Sequence, residues 1–115
     1  MLTTRTLLER LANAPDTVTF QDTIAVIDNE YDFTPTSFKN GSQINQANEN
    51  NGSCKIFSFA RLNDVSETSA LHLFGDFFRQ DVLNNPEGTD HQNIRQFMVN
   101  GWSGIHFESQ ALSKK

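Results

Sequence analysis

The apolar stripe between Ser66 and Leu83 is the feature that most constrains the fold. Ser66 is a favourable helix N-cap, and Glu67 follows it in the first turn, where a carboxylate complements the helix dipole. Apolar side chains then recur at helical spacing at Ala70, Leu73, Phe74, Phe77 and Phe78. Phenylalanine is abundant, with ten copies in 115 residues. The stripe predicts a central helix that packs against an aromatic core.

Two helices are predicted before this one. Leucines at helical spacing over residues 4–14 predict a short first helix that ends before Pro15, because proline disfavours a helical conformation in the residue ahead of it. Thr19 is placed to cap a second helix, with Asp22 three residues on, and that helix is expected to run to about Asp32. The segment 35–41 then predicts a single turn closed by Gly41, where a positive φ costs little.

Two further helices are predicted around the central one. The segment 54–62 fits either a buried helix or a strand face, and we favour a helix capped by Ser53. Thr89 and Gln92 form a capping box for a last helix that ends at Gly101. Trp102 follows this helix. Its side chain could be an anchor for a binding partner, but we expect it to close the core instead.

These elements predict a mainly α-helical fold. We expect one domain over residues 1–115, since the length suffices for a single core. The expected architecture is a bundle of about five helices, a polar asparagine-rich loop over residues 40–52, and at most one short C-terminal strand over residues 105–108. The predicted core side chains are Ile27, Phe74, Phe77, Phe78, Ile94 and Phe97.

Charge and composition narrow the function classes. The formal net charge of −5 opposes phosphate backbones and anionic lipid, so neither nucleic acid nor a membrane is an expected partner. The segment FARLNDVSETSALHLF follows the rhythm of a helix-turn-helix motif, in which residues 66–72 would contact DNA. Glu67 opens that second helix and would repel the phosphates. A single cysteine, the lack of an apolar run of about 18 residues and the position of Glu9 within the N-terminal apolar pattern favour a reducing cytoplasm over export or membrane insertion.

Three polar clusters could carry chemistry. Cys54 follows the sequence NNGS, which could place a thiol or an anion at a helix start, although a lone cysteine is more often a small core residue. Asp90 and His91 could act together as a general base or as two metal ligands, but helix initiation explains the aspartate and a core-edge position explains the histidine. His72, Asp76 and Arg79 share one helix face, which is usually a solvated surface. We find no metal-ligand spacing and expect no metal or cofactor.

Four segments carry a family resemblance: NNGSCKIFSFA, LFGDFFRQDVL, NPEGTDHQNIRQFM and GWSGIHF. Together they resemble the HopJ type III effector family of bacterial proteins, over roughly residues 33–107. The resemblance implies a small bacterial protein whose family label comes from an effector delivered into host cells. It implies no particular reaction.

Two hypotheses for the function remain open beside DNA binding. The first is binding of a host or bacterial protein through the asparagine-rich loop and the adjoining helix surface, which predicts an exposed apolar patch. The second is a small-molecule binder or enzyme with a polar site built from three segments, and it predicts that their side chains converge on one concave surface. The residues of this site are Ser53, Cys54, Asp76, Arg79, Asp90, His91, Asn93 and Arg95. We favour the first hypothesis, protein binding, and keep the small-molecule binder or enzyme as the alternative.

Overall fold

The computed structural model describes residues 2–115. Its α-helices are α1 Thr4–Asn13, α2 Phe20–Glu30, α3 Asn51–Leu62, α4 Glu67–His72 and α5 Gln92–Asn100. Short 3-10 turns cover Pro15–Thr17 and Gly101–Gly104, and a π-helical segment covers Phe77–Val82. The helix predicted over 54–62 is therefore confirmed, as are the caps at Thr19 and Ser66, whose hydroxyls accept from backbone amides three residues on.

Five short strands form two antiparallel sheets. The strands are β1 Tyr31–Phe33, β2 Phe38–Asn40, β3 Gln43–Asn45, β4 Ile105–Phe107 and β5 Leu112–Lys114. One sheet pairs β1 with β5, and the other has the order β3-β2-β4. With 54% helix and 13% strand the fold is α+β, so the prediction of a mainly α-helical bundle with at most one strand is wrong. Each strand has three residues, which is too short for the alternation that reveals a strand in sequence.

The sheets replace two predicted features. The second helix ends at Glu30 because Tyr31 and the two residues after it pair with β5. Where a turn and a polar loop were predicted, β2 and β3 form a hairpin around Gly41, which does have the expected positive φ of 59°. The asparagine-rich loop is thus partly strand, and Asn40 and Asn45 are fully buried.

The predicted central helix is broken. Helix α4 ends at His72, and Gly75 adopts a φ of +64° that side chains rarely tolerate. A Cβ at Gly75 would lie 2.6 Å from the backbone nitrogen of Phe20, so the start of α2 packs directly on this glycine. The chain then continues as the π-helical segment, and Phe77 is 37% exposed instead of lying in the core as predicted.

One cluster of buried side chains joins the helices and both sheets. The other predicted core residues, Ile27, Phe74, Phe78, Ile94 and Phe97, are all buried. Phe57 of α3 lies at the centre, with its ring 4.9 Å from that of Phe97 and 5.3 Å from that of Phe74. Trp102 packs edge-on against Phe97 and donates from Nε1 to the carbonyl of Val65, as expected for a core plug.

Candidate functional site

Helices α3 and α5 both begin at one surface cleft, which we call the amide cleft. Its volume is about 390 Å³. Its polar side is lined by Gln43, Asn50, Ser53, His91, Gln92 and Asn93, and its apolar side by Phe20, Gly52, Phe74, Phe77 and Ile94. The polar residues come from β3 and from the two helix starts, so residues far apart in sequence converge on one concave surface.

Both helix starts have an unusual backbone. Asn50 precedes α3 with a φ of 52°, and His91 precedes α5 with a φ of 50°, so both N-cap residues are left-handed. The caps predicted at Ser53 and Thr89 are therefore wrong, since each helix begins at a different residue. Within residues 2–115, neither helix has a side chain that accepts a hydrogen bond from its first turn. These first-turn amides carry the positive end of a helix dipole.

Four asparagine side chains form a network behind the cleft. The carboxamides of Asn45 and Asn93 donate to each other, over 2.9 and 3.1 Å. Asn50 Nδ2 donates to Asn45 Oδ1 over 2.7 Å, and Asn40 Nδ2 donates to the backbone carbonyl of Asn93 over 2.7 Å. The network fixes β2 and β3 against the starts of both helices, and it holds Asn50 and Asn93 in place at the cleft.

His91 stands at the edge of the cleft. Its Nε2 lies 3.1 Å from Oδ2 of Asp81, which fixes the orientation of the imidazole. Its ring is tilted by 38° against Phe77, with centroids 5.3 Å apart. The expected half-buried position is confirmed, but the ring faces the cleft as well as the core edge.

Comparison with known families identifies the chain. The family model of the HopJ type III effector protein matches residues 4–112. The chain belongs to the HopJ family. The match confirms the resemblance and extends it over nearly the whole chain.

A solved structure is also similar to this HopJ chain. The crystal structure of a protein of unknown function, VPA0580, has 54% sequence identity and a TM-score of 0.95. The similarity covers 96% of this chain and 92% of that chain. No curated protein matches the chain.

The HopJ structure brings three of the eight predicted site residues together. Ser53, His91 and Asn93 line the amide cleft. Cys54 is buried on the other side of its helix, where its Sγ lies 3.9 Å from the carbonyl oxygen of Thr36. Burial raises the pKa of this thiol above its ordinary value. The thiol is therefore placed as a core residue and not as a cleft nucleophile.

The two predicted arginines serve the fold. Arg79 donates to the backbone carbonyls of Pro15, Val18 and His72, so it connects the segment before α2 to the end of α4 and the π-helical segment. Arg95 donates to the backbone carbonyl of Asp90 over 2.6 Å and to its carboxylate over 2.7 Å. The hydrogen bond from Arg95 lowers the pKa of Asp90.

Asp76 and Glu67 lie away from the cleft. Asp76 is exposed and lines a neighbouring groove instead. Glu67, which would open a recognition helix in the DNA-binding hypothesis, accepts a hydrogen bond from the backbone amide of Trp102 over 2.8 Å. Its carboxylate thus holds the turn that follows α5.

Several cleft residues were not predicted. Gln43 and Asn50, which line the cleft, and Asn45, which is buried behind it, all lie in the segment that was predicted to be a polar loop. The available signal was the density of asparagines there, because amides that stay together in a short segment can satisfy each other when buried.

Neither a metal-binding cluster nor a membrane-spanning helix is found in the part of the chain that the structure describes. Among residues 2–115, no group of three or more His, Cys, Asp and Glu side chains is arranged to hold a metal ion. In the same part of the chain, no helix has the length and apolar character needed to span a bilayer.

Proposed function

We propose that the amide cleft binds a small polar molecule whose hydrogen-bond-accepting group lies at the starts of α3 and α5. One observation carries this proposal: two helices begin at the same cleft, and their first turns have no side-chain caps within the described residues. Backbone N–H groups at such a position favour an acceptor or a negative charge. The cleft volume of about 390 Å³ lies within the usual range of small-molecule pockets, roughly 300–1,000 Å³.

The lining supports a ligand with two chemically different ends. Phe20, Phe74 and Phe77 offer an apolar wall for a flat or aliphatic part. Ser53 and His91 offer a hydroxyl and an imidazole beside the helix starts. Because Asn50 and Asn93 are already fixed by buried hydrogen bonds, the polar end of the cleft is organised before a ligand arrives.

Binding is proposed in preference to catalysis. The only thiol lies outside the cleft, and Asp76, Arg79 and Arg95 do not line it. Ser53, His91 and Asn93 therefore remain as the proposed site residues from the original eight, joined by Asn50 and Gln43.

A titration with two matched probes tests this proposal. Benzoate and benzamide share a ring, but only benzoate carries a negative charge. We expect benzoate to bind more tightly than benzamide, and Ser53→Ala to weaken benzoate by about fivefold, because one hydrogen bond is lost. Ser113→Ala is the control, since Ser113 is exposed on β5. If both variants bind benzoate like the native protein, or if neither probe binds, the proposal fails.

A second candidate function is protein binding, as the exposed end of α5 suggests. Met98 and Val99 of α5 are 45% and 81% exposed, and apolar surface of this kind favours a partner. The description of the family as type III effectors supports delivery into a host cell and a partner there. We test it by Val99→Asp, which should abolish capture of such a partner and leave benzoate binding unchanged.

We also propose that residues 1–115 form one domain. The support is the single core cluster, to which all five α-helices and both sheets contribute buried side chains.

A further inference from the structure

A smaller pocket lies between helix α3 and the segment that connects β4 to β5. We call it the serine pocket, and its volume is about 180 Å³. Helix α3 contributes Ser58 and Leu62, which are four residues apart and therefore share one helix face. The opposite wall includes Phe107, Ala111 and Leu112. The linings of this pocket and of the amide cleft have no residue in common, so the two cavities are separate.

The pocket has a fixed apolar wall. Ala111 and Leu112 belong to the buried core, and Leu62 is 50% exposed at the rim. The ring of Phe107 is stacked on that of Phe38, with centroids 5.2 Å apart, so its position is set before a ligand arrives. Apolar surface of this kind gains free energy when a ligand removes it from water.

Two polar side chains of the lining already have hydrogen-bond partners. The hydroxyl of Ser109 lies 2.7 Å from that of Thr36, and Nε2 of Gln110 donates to the carbonyl of Leu112 over 2.7 Å. The guanidinium of Arg61 is held over the ring of Trp102, with its central carbon 5.2 Å from the ring centroid. These groups stabilise the walls of the pocket.

Ser58 differs from these groups. It is 7% exposed, and within residues 2–115 its hydroxyl oxygen has no hydrogen-bond partner. A serine inside a helix often donates to the backbone carbonyl four residues before it, and Ser58 makes no such bond. Native proteins rarely leave a buried polar group unpaired, because its desolvation is then uncompensated. A group bound in the pocket would supply the missing partner.

We propose that the serine pocket binds a small neutral molecule with one apolar ring and a hydroxyl group that pairs with Ser58. The size fits a single ring, because an apolar cavity of about 150 Å³ accommodates benzene. A hydroxyl suits Ser58, since each of the two groups can donate or accept and the serine can turn between staggered rotamers. A neutral group is favoured because burial of an unpaired charge is costly.

Phenol and toluene are matched probes for this pocket. They share a ring, and the hydroxyl of one is replaced by a methyl group in the other. Binding is followed through the backbone amide resonances of the native protein, of Ser58→Ala and of the control Ser42→Ala. Ser42 is exposed and lines neither cavity. The proposal does not depend on the amide cleft, whose occupation is reported by the amides of Gly52 and Gln92.

We expect both probes to cause saturable shifts at the amides of Leu62 and Ala111. Ser58→Ala should weaken phenol by about fivefold and change toluene by less than about twofold, because only phenol loses a hydrogen bond. Unchanged toluene binding also shows that the variant keeps the shape of the pocket. Ser42→Ala should change either probe by less than about twofold, as expected for an exposed site.

Four results would overturn the proposal. Equal weakening of phenol and toluene in Ser58→Ala would make Ser58 a residue that only shapes the pocket. Unchanged phenol binding in that variant would show that the hydroxyl does not pair with the ligand. Shifts by phenol confined to Gly52 and Gln92 would place it in the amide cleft. The absence of saturable shifts at Leu62 and Ala111 up to about 10 mM of either probe would exclude a ligand of this class.

Discussion

The carboxamides of Asn45 and Asn93 are paired face to face inside the protein, each donating to the oxygen of the other. The two distances are 2.9 Å from Asn93 to Asn45 and 3.1 Å from Asn45 to Asn93. Asn45 lies on β3 and is fully buried, and Asn93 lies in the first turn of α5 and is 6% exposed. The pair therefore fixes the sheet against the helix start that forms one side of the amide cleft.

Replacing one member of this pair is expected to destabilise the fold. Asn93→Asp removes the donor to Asn45 Oδ1 and places a carboxylate where hydrogen-bond acceptors already meet. We expect the free energy of unfolding to fall by about 3 kcal/mol, because one buried hydrogen bond is lost and a charged carboxylate oxygen is buried opposite Asn45 Oδ1. Urea denaturation of the native protein and the variant measures this difference.

Asn84→Asp is the matched control for this prediction. Asn84 is exposed and bonds only to Gln80 over 3.1 Å, so the same change there should cost less than about 0.5 kcal/mol. If both substitutions lowered the free energy of unfolding equally, the buried pair would contribute no more to stability than an exposed asparagine does.

Gly75 is expected to resist substitution by alanine. Its φ of +64° disfavours any side chain, and the new Cβ would lie 2.6 Å from the backbone nitrogen of Phe20. We expect Gly75→Ala to lower the free energy of unfolding by about 2–3 kcal/mol. In Gly52→Ala the new Cβ would lie 3.1 Å from the ring edge of Phe20. The free energy of unfolding should therefore change by less than about 1 kcal/mol. Thermal denaturation of both variants compares them, and a larger loss in Gly52→Ala would contradict this account of the break after α4.

Cys54 is expected to be inert in the folded protein. The side chain is 1% exposed, and burial raises the pKa of the thiol, so little thiolate forms near neutral pH. We expect iodoacetamide to react at least about 100-fold more slowly with the native protein than with the protein unfolded in urea. A thiol introduced by Ser113→Cys, with Cys54→Ala, provides the exposed reference. Similar native rates for the two thiols would restore Cys54 as a candidate nucleophile.

His72 gives the stability a defined pH dependence. Burial, and next the positive charge of Arg79, lower the pKa of this imidazole. Below the ordinary pKa of about 6.5 the unfolded chain therefore takes up a proton before the folded protein does. The free energy of unfolding should fall as the pH decreases through that value.

A comparison of two histidine variants measures this contribution. Urea midpoints recorded from about pH 8 to about pH 5 should fall less steeply in His72→Gln than in the native protein. His106→Gln is the control, because His106 is exposed on β4. An unchanged slope in His72→Gln would assign the pH dependence to other groups.

Local signals explain which elements the sequence predicts. The hydroxyls of Thr19 and Ser66 cap their helices through contacts only three residues away, so the pattern is readable without knowledge of the fold. The strands depend on distant partners, as in the pairing of Phe38 with both Asn45 and Phe107. A three-residue strand between such partners carries no periodic pattern of its own.

The break after α4 and the asparagine network could not be predicted from the sequence, because both depend on tertiary contacts. The apolar spacing through Phe74 and Phe77 continues a helical pattern, and only the approach of the Phe20 backbone makes Gly75 a turn. The amides of Asn45 and Asn50 are compatible with a solvated loop until Asn93 is placed beside them. Sequence reasoning did select Ser53, His91 and Asn93, because each stands near a helix start. It also grouped Arg79 and Arg95 with them, whereas in the structure both guanidiniums bind backbone carbonyls and do not line the amide cleft.

The most direct test of the amide cleft is a map of backbone amide shifts upon addition of benzoate. We expect saturable shifts at Gly52 and Ser53 and at Gln92 and Asn93, because these amides lie at the two helix starts. Amides of Glu9 and Asn13, on the far surface formed by α1, should not move. The absence of saturable shifts at both helix starts up to about 10 mM benzoate, or shifts confined to α1, would contradict this expectation.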